Sequence, residues 1–344
     1  MASIAIGVAV IGCGSTAHRR HLPAWQQLPG ARLVAVVSRD AERRRSAAQR
    51  YGADHAIADW QTLLQTPEVE AVDICVPHRH HAEIAIAMAR AGKHVLCEKP
   101  FATTLPDGMA MVEAAARSGV VLLPFHNMRL GGVAAQGLAI AASGAIGEPL
   151  LLRGVMGHGG PDASDPARRW FLEPSAGGGA VLDLGPHLFD LTAALMPVRA
   201  NRLRATLRAE PGAGVERDGL VEVAYPGGAM AQMTLSWSHV AGRETSVVVQ
   251  GTAGVLRVCL LQSPDPAPGA PAAPLILAQA RASGFETSYP APLPGDEPCA
   301  LFLRAIRGET VALAPDDGLE TVRYIDAAYR SHADGGAWVG LGRT

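Results

Sequence analysis

Short apolar runs alternate with helical patterns along the first third of the chain. The runs are rich in valine, isoleucine, alanine and leucine, as expected of strands that are buried on both faces. Strands are predicted over Ile6–Ile11, Leu33–Val37, Ala71–Val76, His94–Cys97 and Val120–Pro124, and helices up to Leu28 and over Ala41–Tyr51, His81–Ala91 and Leu105–Ser118. The alternation predicts an N-terminal α/β domain, residues 1–124, with a doubly wound parallel sheet.

The remainder of the chain, residues 125–344, shows longer strands in which apolar and polar positions alternate. Turns such as Pro226-Gly227-Gly228 separate these strands, as in hairpins. The pattern predicts an α+β domain with an open-faced, mostly antiparallel sheet, and an uncovered sheet face is often an oligomer interface. Strands are predicted over Asn201–Ala209, Leu220–Tyr225, Ala229–Ser238, Glu244–Gln250 and Gly254–Leu260, a loop over Ser263–Pro274 and a closing helix over Asp316–Asp334.

Composition narrows the class of protein. A chain of 344 residues with 48% apolar and 18% charged residues suits two globular domains. The formal net charge of −2 and the lack of a long basic stripe argue against nucleic acid as a partner. The sequence has no run of about 18 apolar residues and no signal-like start, so we expect a cytoplasmic protein without a membrane partner. Its five widely spaced cysteines fit reduced core thiols better than disulfides.

A glycine-rich turn follows the first predicted strand. The segment Gly12-Cys13-Gly14-Ser15-Thr16-Ala17 matches G-x-G-x-x-G/A between a strand and a helix. Small residues there let the backbone approach a pyrophosphate at a helix N-terminus. The alternative is a purely structural glycine turn. In this context we predict that Gly12, Gly14, Ser15, Thr16 and Ala17 bind a dinucleotide.

The end of the second strand bears on the choice of nucleotide. Where an acidic residue often holds the ribose hydroxyls of NAD, this chain has Ser38-Arg39-Asp40. A hydroxyl and a guanidinium suit a 2′-phosphate, so NADP is favoured modestly and Ser38 and Arg39 are predicted to bind the cofactor. NAD remains open, because Arg39 could stack on adenine and Asp40 could hold the ribose.

Two further segments carry candidate chemistry. Cys97-Glu98-Lys99-Pro100 places a lysine at the carboxyl edge of the sheet, where ligands of open α/β sheets bind, and the bond before Pro100 could be trans or cis. Later, Asp183 and His187 lie four residues apart and share one helix face, with Pro186 as a complication. Imidazole is a suitable base for taking the proton from a hydroxyl that is being oxidised. A surface lysine and a structural Asp/His pair are the alternatives.

Taken together, these motifs resemble one family of oxidoreductases. The chain is similar over nearly its whole length to the glucose-fructose oxidoreductase, inositol dehydrogenase and rhizopine-catabolism (Gfo/Idh/MocA) family. The matching residues are the glycine-rich turn, Gly92-Lys93-His94-Val95, Glu98-Lys99-Pro100, Gly179-x3-Asp183-x-Gly185-x-His187-x2-Asp190 and the closing segments Asp317-Gly318-Leu319 and Ala328-Tyr329-Arg330-Ser331.

The resemblance implies an N-terminal Rossmann domain, an open-faced α/β domain, NAD(P) as the cofactor and a homodimer or homotetramer formed through the C-terminal sheet. It also implies catalytic roles: Lys99 stabilises developing oxyanion charge, His187 acts as general acid and base, and Asp183 holds the substrate. By the same likeness Glu98, and Pro77 and His81 of the loop Pro77-His78-Arg79-His80-His81, contact the cofactor, although His78 stands where the family usually has Asn.

Substrate and metal binding are less strongly indicated. The histidine-rich loop invites a metal hypothesis, but its spacing forms no closed ligand set, so we expect a polar pocket wall and no metal. Loop residues before the predicted Asp183 helix suit substrate recognition, including an aromatic for a sugar face and acids for an amino group. The predicted substrate residues are His126, His158, Asp162, Asp165, Arg169 and Trp170.

Three classes of function compete at this point. The first is a dehydrogenase or ketoreductase that interconverts a secondary hydroxyl and a ketone on a sugar, cyclitol or aminosugar-containing metabolite, such as an aminoglycoside. The second is a redox-neutral NAD-dependent glycosidase. The third is a dinucleotide-binding regulator without turnover. The intact Lys99, Asp183 and His187 favour the first class.

Overall fold

The computed structural model describes residues 5–165, 168–196, 198–239, 242–261, 276–280, 285–289 and 297–342. The chain forms two compact units, and each unit consists of two separate stretches of the sequence. The first unit comprises residues 1–126 and 297–319, and the second comprises 127–296 and 320–344. The domain limits 1–124 and 125–344 stay a prediction about folding domains. The predicted loop Ser263–Pro274 lies outside the described residues.

The first unit contains a parallel sheet. Its strands, as far as the chain is described, are β1 Ile6–Ile11, β2 Ala31–Val37, β3 His55–Ile57, β4 Ala71–Ile74, β5 His94–Cys97 and β6 Leu122–Pro124, in the order β3-β2-β1-β4-β5-β6. All five pairings are parallel. This confirms the predicted doubly wound sheet, which has the strand order of a dinucleotide-binding fold. β3 was not predicted, because it is short and largely exposed.

Helices connect these strands. They are a π-helix Ala17–His21 that leads into α1 Leu22–Gln27, then α2 Ala41–Tyr51, α3 His81–Arg90 and α4 Leu105–Ser118, with 3-10 turns at Trp60–Gln65 and His78–His80. Asp40 caps α2 by accepting hydrogen bonds from the backbone N–H groups of Glu42 and Arg43, and Gly52 ends it with a φ of +74°. Thr104 and Gly119 perform the same tasks for α4.

The second unit is built on a larger mixed sheet. Within the described residues its strands are β7 Pro149–Gly157, β8 Arg202–Ala209, β9 Glu216–Ala224, β10 Met230–Ser236, β11 Glu244–Gly251, β12 Gly254–Leu261, β13 Ile276–Ala280, β14 Phe285–Tyr289 and β15 Val339–Gly340. The order is β14-β13-β12-β11-β7-β10-β9-β8-β15, and β7 and β10 pair in parallel while the other neighbours are antiparallel. The predicted mostly antiparallel sheet is confirmed.

One face of this sheet packs on a helix. Strand residues alternate between buried and exposed positions, for example along β8, and the buried face lies against α7. Its core includes Leu188, Phe189, Val221 and Met233.

The α-helices that follow α4 are, in chain order, α5 Asn127–Leu130, α6 Gly132–Ala142, α7 Ala180–Leu195, α8 Pro298–Ile306, which belongs to the first unit, and α9 Pro315–Ala333. Among the described residues, no helix combines the length and the apolar character needed to cross a membrane.

Candidate functional site

The glycine-rich turn after β1 has the shape that a dinucleotide requires. Gly12 has a φ of +110°, and a Cβ at this position would lie 2.2 Å from the carbonyl oxygen of Cys75. At Gly14, by contrast, a Cβ would meet no atom within 4 Å, so the space above the backbone is open. Ser15 and Thr16 follow at the start of the first helical turn. The turn therefore fits a pyrophosphate, which needs close backbone approach and a helix N-terminus.

The end of β2 carries several arginines and a capping acid. Arg39 is exposed, and Arg44 donates hydrogen bonds to the carbonyl oxygens of Ser38 and Arg39 at 3.2 and 3.1 Å. The Asp40 carboxylate accepts from two N–H groups of α2, and the hydrogen bond from the Arg43 N–H is the main reason that its pKa is lowered. Since that carboxylate is engaged by its own helix, the charge that remains around Ser38 is mainly positive.

The turn that carries Lys99 is tied down on both sides. The Glu98 Oε2 atom accepts a hydrogen bond of 2.8 Å from the Lys99 N–H, and the Lys99–Pro100 peptide bond is cis. His81 lies with Nδ1 2.8 Å from the Pro100 carbonyl oxygen and Nε2 2.9 Å from that of Val76. Burial lowers the pKa of His81, so a neutral ring donates to one of these carbonyls. His81 thus braces the Lys99 turn, and its predicted cofactor contact stays a prediction.

A buried polar network, absent from the sequence predictions, lies behind this turn. His21 places Nδ1 2.8 Å from Asp73 and Nε2 3.0 Å from Glu98, and the side chains of His21 and Asp73 are fully buried. Trp25 donates a hydrogen bond of 2.6 Å to the same Asp73 oxygen. Burial opposes charge on His21, but attraction and hydrogen bonding to Asp73 and Glu98 outweigh it and raise its pKa to about 10. The signal in the sequence was a lone aspartate inside an apolar strand, which requires a buried partner.

The histidine-rich loop and the network also bear on metal binding. Among the described residues, one group has metal-ligand atoms within 4.8 Å of one another, namely His21, Asp73 and Cys75. Both ring nitrogens of His21 already contact carboxylates, which favours a hydrogen-bond network. His78 lies buried in the 3-10 turn that follows Pro77.

In the second unit, Asp183 and His187 lie one turn apart on α7. The helix continues through Pro186 to Leu195. Trp237 is fully buried and donates a hydrogen bond of 3.2 Å from its indole nitrogen to the Asp183 Oδ2 atom. His158 Nε2 lies 3.7 Å from the same oxygen, with side chains that are 15% and 14% exposed. The Gly160 N–H donates to His158 Nδ1, so the ring hydrogen lies on Nε2 and faces Asp183.

Aromatic side chains border this group. Phe171 stands edge-on to Trp237 with 6.4 Å between the ring centroids, and Trp170 stacks on Phe171 at 3.8 Å. The structure therefore brings the predicted residues His158, Asp183 and Trp170 into one neighbourhood and adds Trp237. In the sequence, Trp237 lies inside the predicted strand Ala229–Ser238, and no local signal distinguishes it as a site residue.

The other predicted substrate residues are placed differently. Asp162 is exposed and accepts hydrogen bonds from the N–H and hydroxyl of Ser164, which lower its pKa. Arg169 is exposed and donates to the Ala163 carbonyl oxygen at 3.4 Å. His126 is buried at the end of the first unit's opening segment, and Asp165 is half-buried. Asp162 therefore has a local role as a turn acceptor, and substrate binding by these residues stays a prediction.

A buried glutamate fixes the start of α7. The Glu216 Oε1 atom, on β9, accepts hydrogen bonds from the Val181 N–H at 2.8 Å and the Tyr329 hydroxyl at 2.9 Å. Burial raises the pKa of Glu216 above its usual range. Gly179, just before the helix, has a φ of +118°, and a Cβ there would lie 2.4 Å from the same oxygen. The glycine of the Gly179-x3-Asp183 motif is thus needed for this close approach.

Comparison with known proteins agrees with the geometry. Residues 6–126 match the family model of an oxidoreductase family with an NAD-binding Rossmann fold, and residues 138–257 match the GFO/IDH/MocA C-terminal domain. The chain is 32% identical to 1,5-anhydro-D-fructose reductase of Ensifer adhaerens over 66% of this chain and 68% of that protein. It is also 32% identical to dTDP-3,4-didehydro-2,6-dideoxy-alpha-D-glucose 3-reductase of Streptomyces violaceoruber over 68% of each chain.

A solved structure extends the comparison to the whole chain. GenD2 from gentamicin A biosynthesis, crystallised with NAD, aligns with a TM-score of 0.84 and 26% identity over 100% of this chain and 98% of its own. The N-terminal and C-terminal parts of this chain therefore match the two domain models of one enzyme family. The chain belongs to the GFO/IDH/MocA family of NAD-binding oxidoreductases.

Proposed function

We propose that the protein interconverts a secondary hydroxyl and a ketone on a sugar, cyclitol or aminosugar-containing metabolite. The observation that carries this proposal is the neighbourhood of Asp183, where a carboxylate, an imidazole N–H and aromatic rings converge. A carboxylate accepts hydrogen bonds from hydroxyl groups, and an aromatic ring packs against the C–H face of a sugar. The named activities of the relatives, a sugar reductase and a nucleotide-sugar reductase, support the same substrate class.

The proposal assigns one role to each of three residues. His187 takes the proton of the substrate hydroxyl during oxidation and returns it during reduction. Lys99 donates a charge-assisted hydrogen bond that stabilises negative charge developing on the reacting oxygen. Asp183, oriented by Trp237, holds a hydroxyl or amino group of the substrate. Bound NAD(P) supplies the nicotinamide that accepts or returns hydride.

We propose NADP as the preferred nucleotide. The support is the basic surroundings of Ser38: Arg39 is exposed, and Arg43 and Arg44 begin the helix behind it. Asp40 uses its carboxylate to cap that helix and is less suited to hold a ribose hydroxyl. A guanidinium fork binds phosphate oxygens through charge-assisted hydrogen bonds.

We also propose that two or more copies associate through the open face of the larger sheet. Met230 and Leu220 lie on the face opposite α7 and are 52% and 55% exposed. Large apolar side chains on an open sheet face are typical of subunit interfaces. The substitution Leu220→Lys should lower the oligomer mass measured by light scattering, and an unchanged mass would contradict this interface.

The test of the proposed activity combines binding with turnover. NADH and NADPH are titrated by fluorescence, and nicotinamide absorbance is then followed with anhydrosugars, inositols, aminosugars and their keto derivatives. We expect a substrate-dependent change, and we expect Lys99→Ala to reduce turnover by about 100-fold or more while nucleotide binding stays within about twofold. Tight nucleotide binding and product release without net oxidation would instead identify a redox-neutral glycosidase. Binding without any turnover would favour a regulator.

A further inference from the structure

We propose that His21 is a positioning residue for Lys99 and that it acts through the buried carboxylate of Glu98. The inference rests on the proposed function, because Lys99 is taken to contact the substrate. His21 itself lies behind the turn, fully buried at the end of the π-helix, and does not belong to the glycine-rich motif.

An unbroken chain of hydrogen bonds links the two residues. His21 Nε2 lies 3.0 Å from Glu98 Oε1, and Glu98 Oε2 accepts the Lys99 N–H at 2.8 Å. Glu98 therefore uses one carboxylate oxygen for each neighbour and has a fixed orientation. Because it is 7% exposed, its charge must be compensated within the protein. His21 supplies that compensation and sets the plane of the carboxylate that holds the Lys99 backbone.

His21 is in turn held rigidly. Its Nδ1 atom faces Asp73, which also accepts a hydrogen bond from the Trp25 indole. The ring stacks on Phe125 with 4.0 Å between the centroids. Both ring nitrogens face carboxylate oxygens, and only the imidazolium form can donate from both. The network thus holds one cation between two buried carboxylates, which is consistent with the raised pKa of His21.

The other flank of Lys99 is braced independently. His81 contacts the Pro100 carbonyl oxygen and also the Val76 carbonyl oxygen. Because His81 still holds the Pro100 side of the turn, loss of the Glu98 contact is expected to displace the Cα atom from which the Lys99 side chain extends. Displacements of about 1 Å in a reacting group are sufficient to cost about 100-fold in rate.

The lysine content of the chain allows a test that does not depend on turnover. The sequence contains only two lysines, Lys93 and Lys99. Incorporation of lysine labelled with ¹³C at Cε therefore yields resonances from these two side chains alone. Lys93 donates to the carbonyl oxygens of Thr66 and Val69, away from the network, and is an internal control for the fold of the first unit.

The decisive variants are His21→Gln and Glu98→Gln, with His18→Gln as the matched control. His18 lies in the same π-helix and contacts Tyr51 at 3.3 Å. We expect both test variants to move the Lys99 resonance and leave the Lys93 resonance in place. We also expect kcat of both variants with the substrate found above to fall about 10- to 100-fold, with the KM of His21→Gln for the nucleotide within about twofold. The double variant should be no slower than the slower single variant.

Other results would overturn the inference. An unchanged Lys99 resonance in Glu98→Gln, which keeps the size of the side chain, would remove the link even if His21→Gln failed to fold. Joint changes of Lys93 and Lys99 in both test variants would indicate a general structural role. Stoichiometric binding of Co²⁺ or Zn²⁺ that is lost in His21→Gln would indicate a metal site instead. If wild-type protein turns over no substrate, the proposed function fails, while the resonances still decide the role of His21.

Discussion

Replacement of Glu216 by Ala should loosen the start of α7, the helix that carries Asp183 and His187. The substitution removes the acceptor of the Val181 N–H and of the Tyr329 hydroxyl. Val181 is fully buried, so its N–H has little access to replacement water. Hydrogen bonds to a charged group contribute about 1.5–3 kcal/mol each, and part of that is offset by the cost of burying the carboxylate. We therefore expect a loss of about 2–4 kcal/mol.

Hydrogen exchange measured by mass spectrometry is the suitable assay, because a chain of two units need not unfold in one step. A loss of about 2 kcal/mol should accelerate exchange at the start of α7 about 30-fold or more. The matched control is Glu222→Ala on the same strand, whose carboxylate pairs with Arg204 at a more exposed position. That control should change exchange in α7 very little, because such pairs contribute about 0–1 kcal/mol.

The conservative variant Glu216→Gln separates charge from hydrogen bonding. Its amide oxygen can accept both hydrogen bonds, so we expect near wild-type protection of α7 at neutral pH. Because the folded-state pKa of Glu216 is raised, the folded protein binds the extra proton first as the pH falls. The stability of the wild type relative to this variant should therefore decrease as the pH rises from about 4.5 through the folded-state pKa. Wild-type protection in Glu216→Ala, or a pH dependence of the opposite sign, would refute the assigned capping role.

Four further substitutions test the remaining geometry. Gly12→Ala should lower both the melting temperature and the nucleotide affinity, because its Cβ would clash with the carbonyl oxygen of Cys75. Gly14→Ala should lower the nucleotide affinity alone, because a Cβ there meets no protein atom. Equal melting temperatures of the two variants would contradict this difference between the two positions. Trp237→Phe keeps an aromatic ring but removes the donor to Asp183, and should reduce kcat about 10-fold. Because Trp237 is fully buried, the smaller ring should also lower the melting temperature, and an unchanged kcat would contradict the role of the indole N–H. Arg39→Ala should weaken NADPH much more than NADH in a fluorescence titration, and equal weakening would exclude a 2′-phosphate contact.

The local pattern of the chain was sufficient to predict the parallel sheet and its glycine-rich turn. Apolar runs identify β1 and β5 without long-range information, and capping residues such as Asp40 and Thr104 mark helix starts. Strand β7 was missed, because it pairs in parallel with β10, about 80 residues further along the chain. No local pattern indicates such a pairing.

The polar contacts of the site were less predictable. Motifs indicated Lys99, Asp183 and His187 as candidates, but the contacts of Asp183 and of the Lys99 turn come from distant segments. Trp237 reaches Asp183 from 54 residues away, and Glu98 meets His21 from 77 residues away. Spacing along a helix or strand says nothing about such contacts. Asp73 inside β4 is the exception, because a charged side chain in a buried strand requires a polar partner from elsewhere in the chain.

The discontinuous first unit has a consequence for synthesis on the ribosome. Residues 1–126 are translated about 170 residues before residues 297–319, which complete the same unit. At typical translation rates this gap corresponds to about 10–30 s. During that interval the nascent sheet lacks α8, whose Phe302 packs edge-on against Trp25. The apolar surface that α8 later covers is therefore available to chaperones until the C-terminal part of the chain emerges.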